Sequence, residues 1–480
     1  MSNWILEGHI EEKLKRFTGE PILWVFLFLF FYGMLSLLWS TNVEYGIHDL
    51  RVKLPLLVVP LVMATSSPIP KKYFYIILYL FLGTAVFTSV WNYFQFKSHI
   101  SEVSDIRQMS RFISHVRLSI LINFALFFTY YLVLKRKLNL LILIPVILWL
   151  LFYLYQSQVV NGYGLFLILI LLTFIYWVYH LKNKILQKLI SLVFILSIIV
   201  IIIGIITLWR NAKIEVPNVD YANLELYTAN GNGYYHQKNT KITEDGKLVY
   251  MYISEKESRP AWAKLSDVHF DSLDRKGQPI AGTIYRYMTS KGLRKDSIGF
   301  LSLTNTDVQN IENGFSNFKI NRGLSEKIRD LKTQFFMLKS NGDPNGNSLI
   351  QRQLHLLAAG SILQGHWLFG VGVGDVQLAF SEAYQLNDSL LKVENQHRSH
   401  NQFLTIWISH GLIGFITLIL LWFIPFITHL KTCDYLLCVV LLAFGFSFLW
   451  QDMLETQAGV TIFALFYSLM VFKSRKNVTD

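Results

Sequence analysis

The pentapeptide His397-Arg-Ser-His400-Asn401 sets two imidazoles and a guanidinium directly before an apolar run that continues to Trp422. An imidazole titrates near neutrality, so a histidine held at such an edge can take a proton from a hydroxyl. Three readings of the stretch stay open: a general base at a membrane surface, a solvated helix cap, or a metal pair, because histidines at i and i+3 can share a ligand. No cysteine or carboxylate triad stands beside them to complete a metal set.

A second stretch, Gln351–Phe380, puts Arg352 on an amphipathic helical pattern that runs into Gly370-Val-Gly-Val-Gly-Asp375. A turn with Gly370, Gly372 and Gly374 can aim successive backbone N–H groups at an anion, or can be a plain structural turn. It is not a phosphate loop of the Lys-Ser/Thr kind, and no βαβ unit surrounds it to make a dinucleotide fingerprint. Arginines are plentiful nearby: Arg286, Arg294, Arg322, Arg329, Arg352 and Arg398, with Arg107, Arg111 and Arg117 in or beside another connector. Singly, each reads as a solvated surface charge. An arginine held over a membrane edge would suit a lipid-linked phosphate, because its planar fork matches phosphate oxygens.

Apolar blocks must position these groups. Of the 480 residues, 52% are hydrophobic and 15% aromatic. The apolar residues gather in nearly uncharged blocks of roughly 17–25 residues, the length that crosses about 30 Å of hydrocarbon. The pattern predicts spans at 22–39, 52–66, 73–96, 116–134, 139–156, 162–180, 187–209, 402–427, 434–450 and 458–472. The first block lacks a small-x-small cleavage site after Trp39-Ser40 and reads as a retained span. The formal charge of +12 sits largely in short connectors such as Lys71-Lys72, Lys135-Arg136-Lys137 and Lys182/Lys184. All of them fall on one side if the N-terminus is cytoplasmic, and the C-terminus then returns there. No basic helix interleaved with aromatics points to nucleic acid. Cys433 and Cys438 read as small apolar packing residues.

One connector is long. From Arg210 to Asn401 the chain is external by this topology and large enough to fold alone. Its first part, 210–322, reads as strands and turns, with Ile242–Ile253 a hairpin candidate around Asp245-Gly246. Its second part, 323–401, reads as helical. The helical character begins before that boundary, at about Ser302, where Thr304 or Thr306 and Asp307 are cap candidates; Leu324–Leu338 has helical periodicity, and a further helix is expected from about Leu349 to Gln364. The flanking parts, 1–209 and 402–480, are the membrane helices.

Taken together, three motifs resemble the O-antigen ligase/polymerase superfamily of bacterial membrane glycosyltransferases. They are Leu35-Ser-Leu-Leu-Trp-Ser40 with Arg51 after it, Arg352 leading to Leu368–Asp375, and Ser399-His-Asn with Gly411-Leu-Ile-Gly414 at the head of a span. With the ten apolar blocks, the fold expected is an all-α polytopic membrane protein of about ten transmembrane helices with a large α+β loop domain; the resemblance implies that the membrane is the bacterial inner one and the loop periplasmic. Members carry further helices ahead of the Leu-Ser-Leu-Leu-Trp-Ser segment. They also often show Ser-Arg-Gly where this chain reads Ser157-Gln-Val-Val-Asn-Gly-Tyr-Gly164, so the resemblance needs another arginine, Arg117 or Arg322, on the diphosphate.

The resemblance implies transfer of a glycan from undecaprenyl diphosphate to an acceptor hydroxyl at the periplasmic face, on lipid A–core or on another glycan, with no metal and no cofactor. His400 would be the base and Arg352 the clamp on the leaving diphosphate. Arg322, Arg117, Gly370, Gly372, Gly374, Asp375, His397, Arg398 and Asn401 would line the substrate site, with Asn401 either orienting the histidine or capping the span. A repeat-unit polymerase and a protein O-oligosaccharyltransferase share the donor chemistry and stay open. A polysaccharide transporter would put ionisable residues deep in several spans. A receptor would need a cytoplasmic signalling domain, which the short stretch after Phe472 does not supply.

Overall fold

The computed structural model of the protein describes residue 4 and residues 8–98, 109–211, 219–238, 242–275, 277–319, 332, 348–429 and 434–473. The molecule is mostly helical, at 71%. It divides into two compact units, one comprising Met1–Phe94, Ser110–His180 and Gln351–Asp480, the other Gln95–Met109 and Leu181–Ile350.

In the first unit the charged helix α1 (Ile10–Gly19) comes first, and the apolar blocks become α2 (Pro21–Leu35), α3 (Val43–Thr65), α4 (Lys71–Ser98), α5 (His115–Leu134), α6 (Leu140–Ser157) and α7 (Val160–Tyr179). In the second unit α8 (Lys184–Asn211) continues the series. Among the described residues six helical segments are long and apolar enough to cross a membrane: Pro21–Trp39, Lys71–Ser98, His115–Leu134, Val160–Tyr179, Lys184–Asn211 and Gln402–Thr428. Three more apolar helices, Leu141–Ser157, Tyr435–Trp450 and Gln457–Phe472, are shorter. The expected span at 52–66 differs for a chemical reason. It is the second half of α3, whose first half carries Glu44, Asp49, Arg51 and Lys53. The most apolar stretch of α8 buries no residue against protein. An apolar helix of 28 residues with none of its described side chains buried is tolerated where lipid covers it. The protein is a membrane protein on this evidence.

Aromatic rings knit the first unit together. α16 (Tyr435–Trp450) and α17 (Gln457–Phe472) are apolar on all sides, as helices surrounded by other helices or lipid must be. Phe444 meets Phe124 of α5 at 5.5 Å and Phe463 of α17 at 5.0 Å, while Phe26 of α2 meets Tyr467 at 5.2 Å. Such edge-on contacts add to simple area burial.

The second unit corrects the strand-rich expectation. Among the described residues its only ladder is β1 (Thr243–Glu244) against β2 (Lys247–Leu248), joined by Asp245 at φ 46° and Gly246 at φ 75°. The Asp-Gly turn is where the sequence predicts it, since both central residues of such a hairpin need positive φ. The flanking stretches instead form short helices, α9 (Glu255–Ala263), α10 (Ile280–Ser290), α11 (Ser297–Leu301) and α12 (Asn305–Glu312). They close over Val249, Trp262, Ile284, Met288, Phe300 and Ile311. The turn residues that suggested strands serve as helix boundaries. Thr304 caps α12 with Asp307 in a reciprocal capping box, as expected. The helical pattern at Leu324–Leu338 lies outside the described residues apart from Lys332.

The boundary expected at 323 falls elsewhere. α13 (Ser348–His366) passes into the first unit at Gln351, and α14 (Val376–Leu386) follows it there. α13, α14 and the start of α15 (Gln402–His429) share a core of Ala358, Ala359, Phe380, Tyr384 and Ile408.

Candidate functional site

His400 precedes α15 with φ 50°, a left-handed conformation uncommon for residues other than glycine. Its neighbours hold it there. Asn401 Oδ1 accepts the N–H of Leu404 at 3.2 Å, so Asn401 caps α15, one of its two expected roles. His400 Nδ1 lies 3.8 Å from Asp452 Oδ2, and the His400 backbone N–H is among the groups that stabilise the Asp452 carboxylate. Thr405 donates to Asp452 Oδ1 at 2.7 Å.

Two further imidazoles join it. His355, one turn along α13 from Arg352, sits 5.5 Å from His400 between ring centroids, and His397 is 5.8 Å from His400. His355 is only 2% exposed. Its Nε2 bonds the Asn395 carbonyl at 3.0 Å. A carbonyl can only accept, so Nε2 carries the proton and Nδ1 keeps its lone pair. That Nδ1 is buried without a partner. The Arg352 guanidinium lies over the Trp450 ring at 5.9 Å and contributes to the charge environment of both histidines. Burial first, then His355, Arg352 and His397, push the His400 imidazole down to about 4. Burial raises the Asp452 carboxyl to about 6, against the Thr405 hydrogen bond. At neutral pH the site therefore offers a free imidazole, a carboxylate and a guanidinium. Among the described residues no group of three or more His, Cys, Asp or Glu converges as a metal site.

A buried charge network lies alongside. Glu455 accepts from Arg398 at 2.8 Å, from Gln402 at 3.1 Å and from Lys53 at 3.4 Å. Lys53 also bonds Asp49, one helical turn away, at 2.7 Å, and Arg398 reaches the Tyr45 hydroxyl. Burial would raise the Glu455 carboxyl, but Lys53 and Arg398 hold it down to about 2. The Leu454 N–H donates to Gln402 Oε1 at 2.6 Å. The connector carrying Asp452 and Glu455 is thus tied to the start of α15.

This arrangement reassigns several expected substrate contacts. Arg398 is committed to Glu455 and Tyr45, so it is a structural cation. The glycine turn is no anion cradle, because every backbone N–H from Gly370 to Asp375 already has an acceptor. Gly370 bonds His366 O, Val371 bonds Ile408 O, Gly372 bonds Ser409 O and Asp375 bonds Gly372 O. Val373 and Gly374 bond the hydroxyls of Ser36 and Ser40. Asp375 accepts from the Thr41 N–H and hydroxyl and from the Asn42 N–H at 2.7–2.9 Å. The turn plugs the Leu35–Ser40 segment into a break in α15, where Gly411 adopts φ 66°, ψ −167°. The break frees the carbonyls of Ile408 and Ser409 for the turn.

His397 stays exposed beside His400. Arg117 lies in the first turn of α5, half-buried, its Nε without a partner. It belongs to the same end of the bundle as His400: Ser119 packs on Gly162 of α7, and Gly164 packs on Phe446 of α16 near Trp450. Arg322 lies outside the described residues.

Sequence reasoning missed His355, Asp452, Glu455, Asp49 and Lys53. The signal was present: an Asp–Lys pair four residues apart across the start of a predicted span, and two acids in a seven-residue connector between spans. Buried charges at such places mark functional or structural sites by default.

No protein-family model matches the chain, and no curated protein matches it either.

Proposed function

We propose that the protein transfers a glycan from a polyprenyl-diphosphate donor to an acceptor hydroxyl at the periplasmic face of the bacterial inner membrane. The observation that carries the reading is an imidazole, His400, 3.8 Å from the Asp452 carboxyl, grouped with Arg352 where membrane helices end; burial disfavours its proton. The acceptor hydroxyl gives its proton to the His400 imidazole as its oxygen bonds the anomeric carbon. The bond from that carbon to the diphosphate oxygen breaks, and the lipid diphosphate leaves with the electron pair. Arg352 faces the growing negative charge. Asp452 favours the imidazolium as it forms, the role an acid plays beside a catalytic histidine. Attack opposite the leaving group inverts the anomeric centre. Arg117 is the candidate second cation for the diphosphate.

The acceptor follows from the resemblance and not from the site: lipid A–core for a ligase, a growing chain for a polymerase, a protein hydroxyl for an oligosaccharyltransferase. The test is reconstitution of the purified protein with undecaprenyl-diphosphate-linked glycan and each acceptor in turn. The expected result is a glycosylated acceptor with wild-type protein, and none with His400→Ala or Arg352→Ala variants that insert normally. Full transfer by both variants overturns the assignment. Movement of the donor across the bilayer with no acceptor product would favour a transporter.

A further inference from the structure

The second unit contains a cavity of about 460 Å³ lined by Val219, Asp220, Lys247, Tyr252, Arg294 and Lys295, among others, within the size range of small-molecule sites. Its charge is unbalanced. Lys295 is 3% exposed, and its ammonium makes one hydrogen bond, to the Met251 carbonyl at 3.2 Å. An ammonium has three donors. Among the described residues no carboxylate pairs with Lys295, and the charged group that acts on it is a second cation, Lys247. The Lys247 Nζ reaches over Gly292, which also lines the cavity.

The other charges are already engaged. The Arg294 guanidinium bonds Glu225 at 2.6 Å and lies over Tyr252 at 4.8 Å. The Asp220 carboxylate accepts from the Ala222 N–H at 3.0 Å and from Asn223 at 2.7 Å. The backbone of Lys295 is clamped on both sides: its N–H bonds Tyr252 O, and its carbonyl accepts from Ser254 and Ser258.

A buried cation without a counter-charge destabilises the fold, and an apolar side chain of similar volume would be more stable there. An external anion removes that cost. We propose that this cavity binds a small anion, a carboxylate or phosphate group, between Lys247 and Lys295. Burial, and then Lys247, bring the Lys295 ammonium down to about 7, so the empty site is near its point of proton loss at neutral pH. Anion binding holds the proton on. The proposal is independent of the transfer reaction, since it concerns a different unit and needs no donor lipid.

The test uses the full-length protein in nanodiscs and an amine-acetylating reagent, with labelling of each lysine read by peptide mass spectrometry. Labelling is measured alone and with millimolar glucuronate, inorganic phosphate or glucose. Lys295 labelling is expected to fall about tenfold when glucuronate or phosphate is present at roughly ten times its Kd, and to be unchanged by glucose. Protection by glucuronate alone identifies a carboxylate ligand, and protection by phosphate alone a phosphate ligand. In Lys247→Met the protection is expected to disappear while the labelling of Lys291, which pairs with Asp307, stays as in the wild type and reports an intact fold. Equal protection by glucose, no protection by either anion, no labelling of Lys295 in the free protein, or full protection retained in Lys247→Met would each overturn the proposal.

Discussion

His400 is shaped by three constraints: a left-handed backbone, a cap supplied by Asn401, and a carboxylate 3.8 Å from Nδ1. Left-handed backbone at a non-glycine residue costs of order 1–3 kcal/mol, and here the Asn401 cap and the contacts to Asp452 offset it. Replacing His400 by Ala removes the base and leaves the cap. Transfer should then fall about 10²- to 10⁴-fold, the range for loss of a general base, with membrane insertion unchanged, as read by product formation and by detergent-extracted yield. The pH dependence has a defined sign. Asp452 ionises in the fold near 6, so the charge that favours the imidazolium is present above that pH and absent below it. The transfer rate should rise through about pH 6 and level off. In Asp452→Asn the rate should be lower and this limb missing, and a limb persisting at 6 would assign it to another group. Stability responds separately. His400 is lowered from 6.5 to about 4, so the fold disfavours its proton and its contribution to stability is lost as pH falls from about 6.5 towards 4; Asp452, raised to about 6, opposes that change over the same window, so in Asp452→Asn the fall in thermal midpoint on acidification should be steeper than in the wild type.

The break in α15 and the glycine turn form one joint. A Cβ on Gly411 would collide with the Leu368 carbonyl, and one on Gly374 with the Asn42 carbonyl. Gly411→Ala should therefore lower stability by about 1–3 kcal/mol or more, read as a fall in thermal midpoint in detergent. Gly360 offers the contrast. It lies within α13 with open space around the position of a Cβ, so Gly360→Ala should raise stability by about 0.5–1 kcal/mol. The joint was only partly legible. The glycines and the Leu-Ser-Leu-Leu-Trp-Ser segment stand out as motifs, yet whether glycine N–H groups face an anion or a neighbouring carbonyl depends on what packs against them. Gly-Leu-Ile-Gly at 411–414 likewise reads as the head of a smooth span. Only the partner carbonyls explain the break.

Across the first unit, Glu455 links α3, the segment before α15 and the connector before α17 through Lys53, Arg398 and Gln402. Glu455→Gln keeps the size and removes the charge, leaving two buried cations with less compensation. Breaking a buried network in this way costs about 3–5 kcal/mol, so the variant should unfold earlier in a thermal scan. Because the Glu455 carboxyl is lowered from 4.5 to about 2, its stabilising contribution should be complete above about 4.5 and lost as pH falls towards 2. The proposed orientation is testable at this scale too. In a chain with Cys433 and Cys438 replaced by Ser, a cysteine at the exposed Asn230 should react with a membrane-impermeant thiol reagent added from outside the inner membrane, and one at the exposed Lys137 should not. The reverse pattern would invert the topology and remove the periplasmic assignment.

Legible in the sequence alone were apolar helices long enough to cross a membrane, Thr304 and Asn401 as cap candidates, and the Asp245-Gly246 turn. Each depends on neighbours within a few residues: runs of apolar side chains long enough for a bilayer, or a short polar side chain reaching the next turn. The tertiary structure decided that the described residues of 242–301 fold mainly as short helices, that Arg398 is spent on Glu455, that the glycine turn bonds Ser36, Ser40 and α15, and that His400 has Asp452 beside it. Those outcomes rest on pairs separated by tens to hundreds of positions. A buried polar group takes whichever partner the packed helices bring within about 3 Å, and nothing in its own segment states which one that is.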